Sequence, residues 1–388
     1  MEFYAPESVR CMYVHWPFCP YKCHFCPFVA LASHDQFMGQ YHRALLSEIE
    51  QYASRSTSET AARTPLETIY FGGGTPSTYP NELLQETITT VRRLFGIANG
   101  AEITLEVNPG TVMPGQLAFW KSLGITRLSI GVQSLNDKVL KGLNRHQSAR
   151  DVLPLLTQAS EFFESLSVDL IVGLPGVDAD EWRSMIHQIV QWPIQHISVY
   201  FLTVHEDTPL YFKVKKQEVT LTPDDDLVDL YTWTRHILVE HGFEQYEISN
   251  FAKPGHQSRH NKVYWQRKPY KAFGLGACSF DGTIRTQNEK NLMRYLQAAE
   301  KKGSVQASWE TLTRQQIHLE KVMLGLRQST GVICKDILDG LTADEHRQIT
   351  DRIASLMHAG LIKDVDGYLI LTSEGISVEN GIASHLSL

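Results

Sequence analysis

The sequence predicts an α/β protein built on parallel strands, a sheet or a barrel, followed by a smaller C-terminal unit. Three observations carry this. Short β-rich runs at 12–15, 68–71, 102–107, 127–132, 166–172 and 197–203 alternate with amphipathic helical patterns at 35–52, 81–95, 114–123 and 180–191. Such alternation implies parallel strands joined by right-handed crossovers. The chemically notable residues, a cysteine loop after the first run and a glycine run after the second, fall where these folds gather their functional groups, at the C-terminal ends of strands. Finally, the rhythm lapses over 205–282, where one helix is expected at 223–241, and a different pattern follows.

That last pattern has helical stretches at 291–302, 314–327 and 343–359, then β runs at 361–363 and 368–371 joined by Asp366-Gly367. A hairpin after a helix reads as a winged-helix-like α+β unit. The expected division is 1–285 for the α/β body and 286–388 for the tail. The Ser/Thr-rich stretch at 54–65 reads as a surface loop.

Composition narrows the function classes. Of 388 residues, 43% are hydrophobic and 20% charged, and the formal net charge is -7, so no basic field advertises a nucleic-acid partner. The would-be recognition helix carries Asp344, Glu345 and Asp351 beside Arg347 and Arg352, too acidic to read DNA. No apolar run is long enough to span a bilayer, so an integral membrane protein is not expected. The start, MEFYAPESVR, lacks the basic and apolar regions of a secretory signal, which makes the cytoplasm the expected compartment.

Three of the six cysteines crowd into Cys19-x3-Cys23-x2-Cys26, a spacing suited to shared metal ligation rather than disulfides. Three thiolates from one loop can each hold an iron of a [4Fe–4S] cubane and leave the fourth iron open to an amino-acid-like chelator. The alternative is zinc, with His15 or His24 as fourth ligand. Cys11, Cys278 and Cys334 are scattered and read as small buried side chains. Gly72-Gly73-Gly74 ends a strand without side chains, which lets backbone approach a ligand, although a glycine triplet also makes an ordinary turn. Glu106 at the end of the third strand could accept hydrogen bonds from ribose hydroxyls or simply be a solvated strand end. Arg145, after the fourth strand with Gln133, could pair a carboxylate bidentately. Asp169 sits inside an apolar run and should have a partner, as ligand group or structural cap.

These residues lie in longer motifs: Tyr13-Val-His-Trp-Pro-Phe-Cys19, Phe71-Gly-Gly-Gly-Thr-Pro-Ser77, Glu106-Val-Asn-Pro-Gly110, Gly131-Val-Gln-Ser134, Asn144-Arg-His146 and Asp169-Leu-Ile-Val-Gly-Leu-Pro-Gly176. In order and content the set resembles the radical-SAM superfamily, and within it the coproporphyrinogen-oxidase-like group. The resemblance implies a partial (β/α)6 radical-SAM barrel with a C-terminal winged-helix-like domain. It also implies a [4Fe–4S] cluster on Cys19, Cys23 and Cys26. S-adenosyl-L-methionine would be lined by Tyr13, Gly73, Gly74, Thr75, Glu106, Gln133, Arg145, Asp169 and Thr203. An electron from the cluster would cleave the sulfonium to methionine and a 5′-deoxyadenosyl radical.

Two branches of that group differ in kind. Oxidases decarboxylate porphyrinogen propionates to vinyl groups; heme chaperones, HemW-like, bind heme and deliver it to apo-hemoproteins. The oxidase branch usually has a further cysteine two positions after the third, where this sequence has Phe28, and a long N-terminal extension, which is not expected here because the cluster loop begins at Cys19. His260-Asn261-x-x-Tyr264-Trp265 resembles the heme-chaperone signature, which implies heme contact by these four residues; the alternative is a loop whose aromatics fill core. Gly274-Leu-Gly-Ala-Cys-Ser-Phe280 occurs in both branches. Pro27 departs from the chaperone pattern, which has an acidic residue there. The expectation is therefore a heme chaperone with heme, recipient apo-hemoproteins and an electron donor as partners, and a coproporphyrinogen III oxidase as the alternative.

Overall fold

The computed structural model describes residues 8–55 and 64–388, so most of the surface loop expected at 54–65 lies outside the described residues. Six parallel strands form the body: β1 (Cys11–Trp16), β2 (Leu66–Gly73), β3 (Ile97–Val107), β4 (Arg127–Gln133), β5 (Ser165–Val172) and β6 (His196–Phe201). The antiparallel strands β7 (Glu244–Glu247) and β8 (Asn250–Ala252) extend the β6 edge, and β9 (Lys271–Phe273) adds in parallel to β1. The resulting order is β9-β1-β2-β3-β4-β5-β6-β8-β7. Neither edge addition was visible as a βα repeat, because each is three or four residues long.

Side chains alternate along these strands, and the two faces differ in kind. Met12, Val14 and Trp16 of β1, Ile69 and Phe71 of β2, and Leu128, Ile130 and Val132 of β4 are fully buried. They join Leu45 and Ile49 of α1 (Met38–Ala53), Leu84 and Ile88 of α2 (Asn81–Phe95), Trp120 of α3 (Gln116–Ser122), Leu156 of α4 (Val152–Ser160) and Ile186 of α5 (Ala179–Ile189) in one core. The other face is polar: Tyr70, Glu106, Arg127, Ser129, Asp169 and Ser198 all line one central cavity. A sheet with apolar residues toward its helices and polar ones toward its axis is a partial barrel.

Beyond β6 come α6 (Asp224–Glu240), the short α7 (Arg259–Trp265), and a three-stranded sheet of β10 (Cys278–Phe280), β11 (Ile284–Asn288) and β12 (Gln306–Thr311). Inserted before β12, α8 (Leu292–Glu300) packs Leu292, Tyr295, Leu296 and Ala299 into the main core. A second core begins at Val322 of α9 (Arg314–Leu326) and includes Ile349 and Ile353 of α10 (Ala343–His358). The main core includes residues up to Val305, and the second begins at Val322. Helix pattern alone could not reveal which core α8 serves.

The tail otherwise has the expected form. Strand β13 (Val332–Ile333) pairs with β15 (Tyr368–Leu371), which pairs with β14 (Ile362–Val365). Asp366 and Gly367, with φ of 53° and 84°, make the two-residue turn that matches strand twist.

One buried carboxylate ties the first helix to the later strands. Glu48 accepts from the Gly274 N–H (2.9 Å), Asn288 Nδ2 (2.7 Å) and the Tyr295 hydroxyl (2.7 Å). Burial raises its carboxyl, and nearby Lys271 and these donors pull it back. Glu48→Ala should cost about 3 kcal/mol or more in denaturant unfolding, because three buried donors lose their acceptor, whereas Glu48→Gln should cost less. Equal, small losses for both variants would show that the network is not a tie.

Candidate functional site

The cavity at the C-terminal end of the barrel has a volume of about 460 Å³, within the range of small-molecule sites. Its wall is set by how the loops after β1 and β2 dock. The Gly74 N–H donates to the Trp16 carbonyl (2.8 Å) and the Thr75 N–H to the Phe18 carbonyl (2.9 Å). The glycines permit this closeness: a Cβ on Gly74 would lie 2.4 Å from the Pro17 oxygen, and Gly73 has φ of +125°. Thr75 Oγ1 then lies 2.9 Å from Cys19 Sγ, and Asn108 Nδ2 donates to the Tyr21 hydroxyl (2.6 Å), fixing the cysteine loop to β3 as well.

Cys19, Cys23 and Cys26 all line this cavity, and all six cysteines are unpaired. Among the described residues no three His, Cys, Asp or Glu side chains are gathered as ligands of a single metal ion. A cubane takes one thiolate at each of three corners, so three cysteines suffice for it, whereas a zinc ion would need a fourth ligand. The donor set and the bare glycine backbone facing it suit a cluster with an open iron. Burial raises the Cys23 and Cys26 thiols, and the Arg145 guanidinium, 3.7 Å from Cys23 Sγ, offsets part of this at Cys23.

The residues expected around S-adenosylmethionine converge with one exception. Gly73, Gly74, Thr75, Glu106, Gln133, Arg145, Asp169 and Thr203 line the cavity. Glu106 accepts from the Tyr70 hydroxyl (2.9 Å) and the Gly73 N–H (3.0 Å), so it is not a solvated strand end. Burial pushes its carboxyl up to about 7, with Asp169 adding to the shift and the two donors opposing it. Asp169 accepts from Ser129 Oγ (3.0 Å), the partner its apolar run called for. Arg145 is already held by Gln147 Oε1 (2.8 Å) and by the Gly131 carbonyl, leaving its third nitrogen toward Cys23. Gln133 is aimed inward by a register shift between Gly131 and Gln133 and sits at φ of 66°, a conformation rare for a non-glycine residue.

Tyr13 is the exception: it lies one layer below, stacked on Tyr70 at 6.0 Å with its hydroxyl 3.1 Å from His15 Nδ1. The cavity wall above it is Tyr70 and Gly73.

The His260 motif also departs from expectation. His260 is wholly buried, Nδ1 lies 2.8 Å from Thr68 Oγ1 and Nε2 lies 2.8 Å from the Tyr264 hydroxyl. With both ring nitrogens engaged it has none free for iron. Tyr264 packs edge-on to His260, and Trp265 lies under the Arg327 guanidinium of the tail at 4.7 Å. Of the four, Asn261 alone reaches the cavity. Tyr264 and Trp265 are themselves only partly buried.

Sequence reasoning missed Arg127, Asn108 and Tyr70. Arg127 is 3% exposed, and its Nε has no hydrogen-bond partner among the described residues, yet it lines the cavity floor. The period-two series Arg127, Ser129, Gly131, Gln133 carried the signal; an arginine opening a strand was read only as its start.

A partial parallel barrel whose C-terminal rim holds a three-cysteine loop against bare glycine backbone is the architecture of a radical SAM protein, and the Radical SAM superfamily profile matches residues 13–189. The chain is 31% identical to the heme chaperone HemW of Bacillus subtilis, over 96% of this chain and 98% of that one. It is 36% identical to the HemW of Synechocystis sp., over 82% of this chain and 78% of that one. The chain belongs to the HemW heme-chaperone family of radical SAM proteins. Coproporphyrinogen III oxidase (HemN) from Escherichia coli, a radical SAM enzyme, shares the fold with a TM-score of 0.84 at 24% identity, covering 98% of this chain and 90% of that one.

Burial pushes His260 down to about 3 from 6.5, so the folded protein keeps it neutral where the unfolded chain takes up a proton. Its contribution is present above pH 6.5 and lost as pH falls toward 3. His260→Gln removes that dependence. The stability difference between wild type and variant should shrink by about 1.4 kcal/mol per pH unit below pH 6, read from thermal or urea unfolding. Parallel pH profiles would contradict a neutral, enclosed His260.

Proposed function

We propose that this chain binds heme and delivers it to apo-hemoproteins, and that it carries a [4Fe–4S] cluster on Cys19, Cys23 and Cys26 with S-adenosylmethionine beside it. The observation that carries the reading is near-full-length similarity to proteins named heme chaperone HemW, with the motifs that line the cavity inside the matched span. The unpaired state of all six cysteines suits the cytosol, where we place the protein. No described helix is long and apolar enough to cross a membrane.

Within this reading each residue has a task. The three thiolates hold iron, and Arg145 keeps positive charge beside Cys23, where it also meets an incoming carboxylate. Giving up the Gly131 carbonyl would free a second Arg145 nitrogen for a bidentate grip. Gly73 and Gly74 offer backbone to the amino-acid end of the cofactor. Thr75, Gln133 and Thr203 supply further polar groups around it, and Glu106 and Asp169, on neighbouring sides of the barrel axis, suit ribose hydroxyls. The bound cluster supplies an electron to the sulfonium when an external donor has reduced it. Tyr13 supports Tyr70 from below instead of touching cofactor.

Purified and reconstituted without oxygen, the chain should be brown and hold about four irons, with Cys23→Ala losing the colour and Cys278→Ala keeping it. A colourless, zinc-loaded wild type would sink the cluster assignment. Arg145→Ala should weaken cofactor binding and retain the iron.

The choice between delivery and oxidation has its own test. Hemin should bind, and coproporphyrinogen III should not be converted to protoporphyrinogen IX, in keeping with Phe28 where the oxidase branch has cysteine. Sustained conversion, with deoxyadenosine formed in proportion, would restore the oxidase reading.

A further inference from the structure

With His260 enclosed, the heme-binding group must be sought among residues a ligand can reach. His205 is the one histidine lining the central cavity among the described residues. It is exposed, and its ring nitrogens have no hydrogen-bond partner there. Its backbone is nonetheless fixed: the His205 carbonyl accepts from the N–H (3.0 Å) and the hydroxyl (2.6 Å) of Thr208, itself 1% exposed. A free imidazole on an anchored backbone at a cavity mouth is the arrangement an axial iron ligand requires. His15, His42 and His196, by contrast, are buried with both nitrogens engaged, as His260 is.

The surroundings fit a porphyrin plane. Phe28 and Tyr200 line the same cavity and are 65% and 41% exposed, two open aromatic faces; Phe201, the next residue, turns its ring to Tyr231 on the other side of the strand. Phe28 lies in the loop after β1, while Tyr200 lies near the end of β6. β1 and β6 are the first and last of the six body strands, so the two aromatics come from opposite sides of the partial barrel. Lys22, exposed and on the same wall, supplies a positive charge for a carboxylate. The residues assigned to S-adenosylmethionine lie on β2 to β5 and the loops after them, apart from Thr203, so this rim is largely left to another ligand.

We propose that heme docks on this rim, its iron ligated by the His205 imidazole, its plane against Phe28 and Tyr200, and a propionate toward Lys22. The inference rests on the heme-chaperone reading and relocates the heme contact from the His260 motif to the cavity mouth. The step is coordination alone, a ring nitrogen lone pair filling an axial position of iron, with no change of oxidation state.

The test titrates the full chain with hemin and with iron-free protoporphyrin IX, following the Soret band and the spin state. Wild type should bind one hemin with a histidine-ligated spectrum. His205→Ala should lose that spectrum and weaken hemin binding at least roughly tenfold, leave protoporphyrin IX affinity unchanged, and recover the spectrum with added imidazole. Phe28→Ser should weaken both ligands. If wild type binds neither, the heme-chaperone reading itself falls. If wild type binds hemin through histidine and His205→Ala does so equally well, the chaperone reading stands and the His205 assignment is overturned.

Discussion

The site depends on one close approach of backbone to backbone. The loop after β2 lies against the loop after β1, near enough that Gly74 and Thr75 hydrogen-bond to Trp16 and Phe18, and any side chain at Gly74 would collide with the Pro17 carbonyl. From this contact follow the position of the cysteine loop, the contact of Cys19 with Thr75, and the turn of Gly73 toward Glu106. Glu106 in turn holds Tyr70, and Tyr70 stacks on Tyr13 in the layer beneath. The carboxylate and the glycines thus act as one unit, a coupling that explains why the two motifs sit at the ends of neighbouring strands.

Much of the fold was legible in the sequence because its two periods are clean. A helix pattern at 81–95 coincides with the helix Asn81–Phe95, and the six parallel strands fall within a few residues of their runs. Strand alternation was harder to use, since both faces of a barrel strand are covered, one by helices and one by the cavity. Arg127 illustrates this: its inward register is plain once β4 is paired with β5, but the sequence alone does not say that a buried arginine belongs at a cavity floor. Short edge strands such as Lys271–Phe273 carry too few residues to show a period.

The candidate site was legible to the extent that function sits at strand ends. Its cysteines and polar rim residues converge, whereas Tyr13, His260, Tyr264 and Trp265 lie off the cavity. The reason is the same for Tyr13 and His260. A motif records residue types in order, and tyrosine or histidine can serve equally as a reaching group or as a buried hydrogen-bonding filler; only pairing of both ring nitrogens, as with Thr68 and Tyr264 around His260, decides between them. His205, lacking any such partner, had no motif to announce it.

The central claim is that three thiolates from one loop hold a cubane and leave its fourth iron open beside Arg145. Mössbauer spectroscopy of the iron-57-reconstituted protein, recorded with and without S-adenosylmethionine, tests this directly. The account predicts a single iron whose parameters change when S-adenosylmethionine is added, while the three thiolate-ligated irons stay constant. Four irons that respond alike, or none that respond, would contradict it.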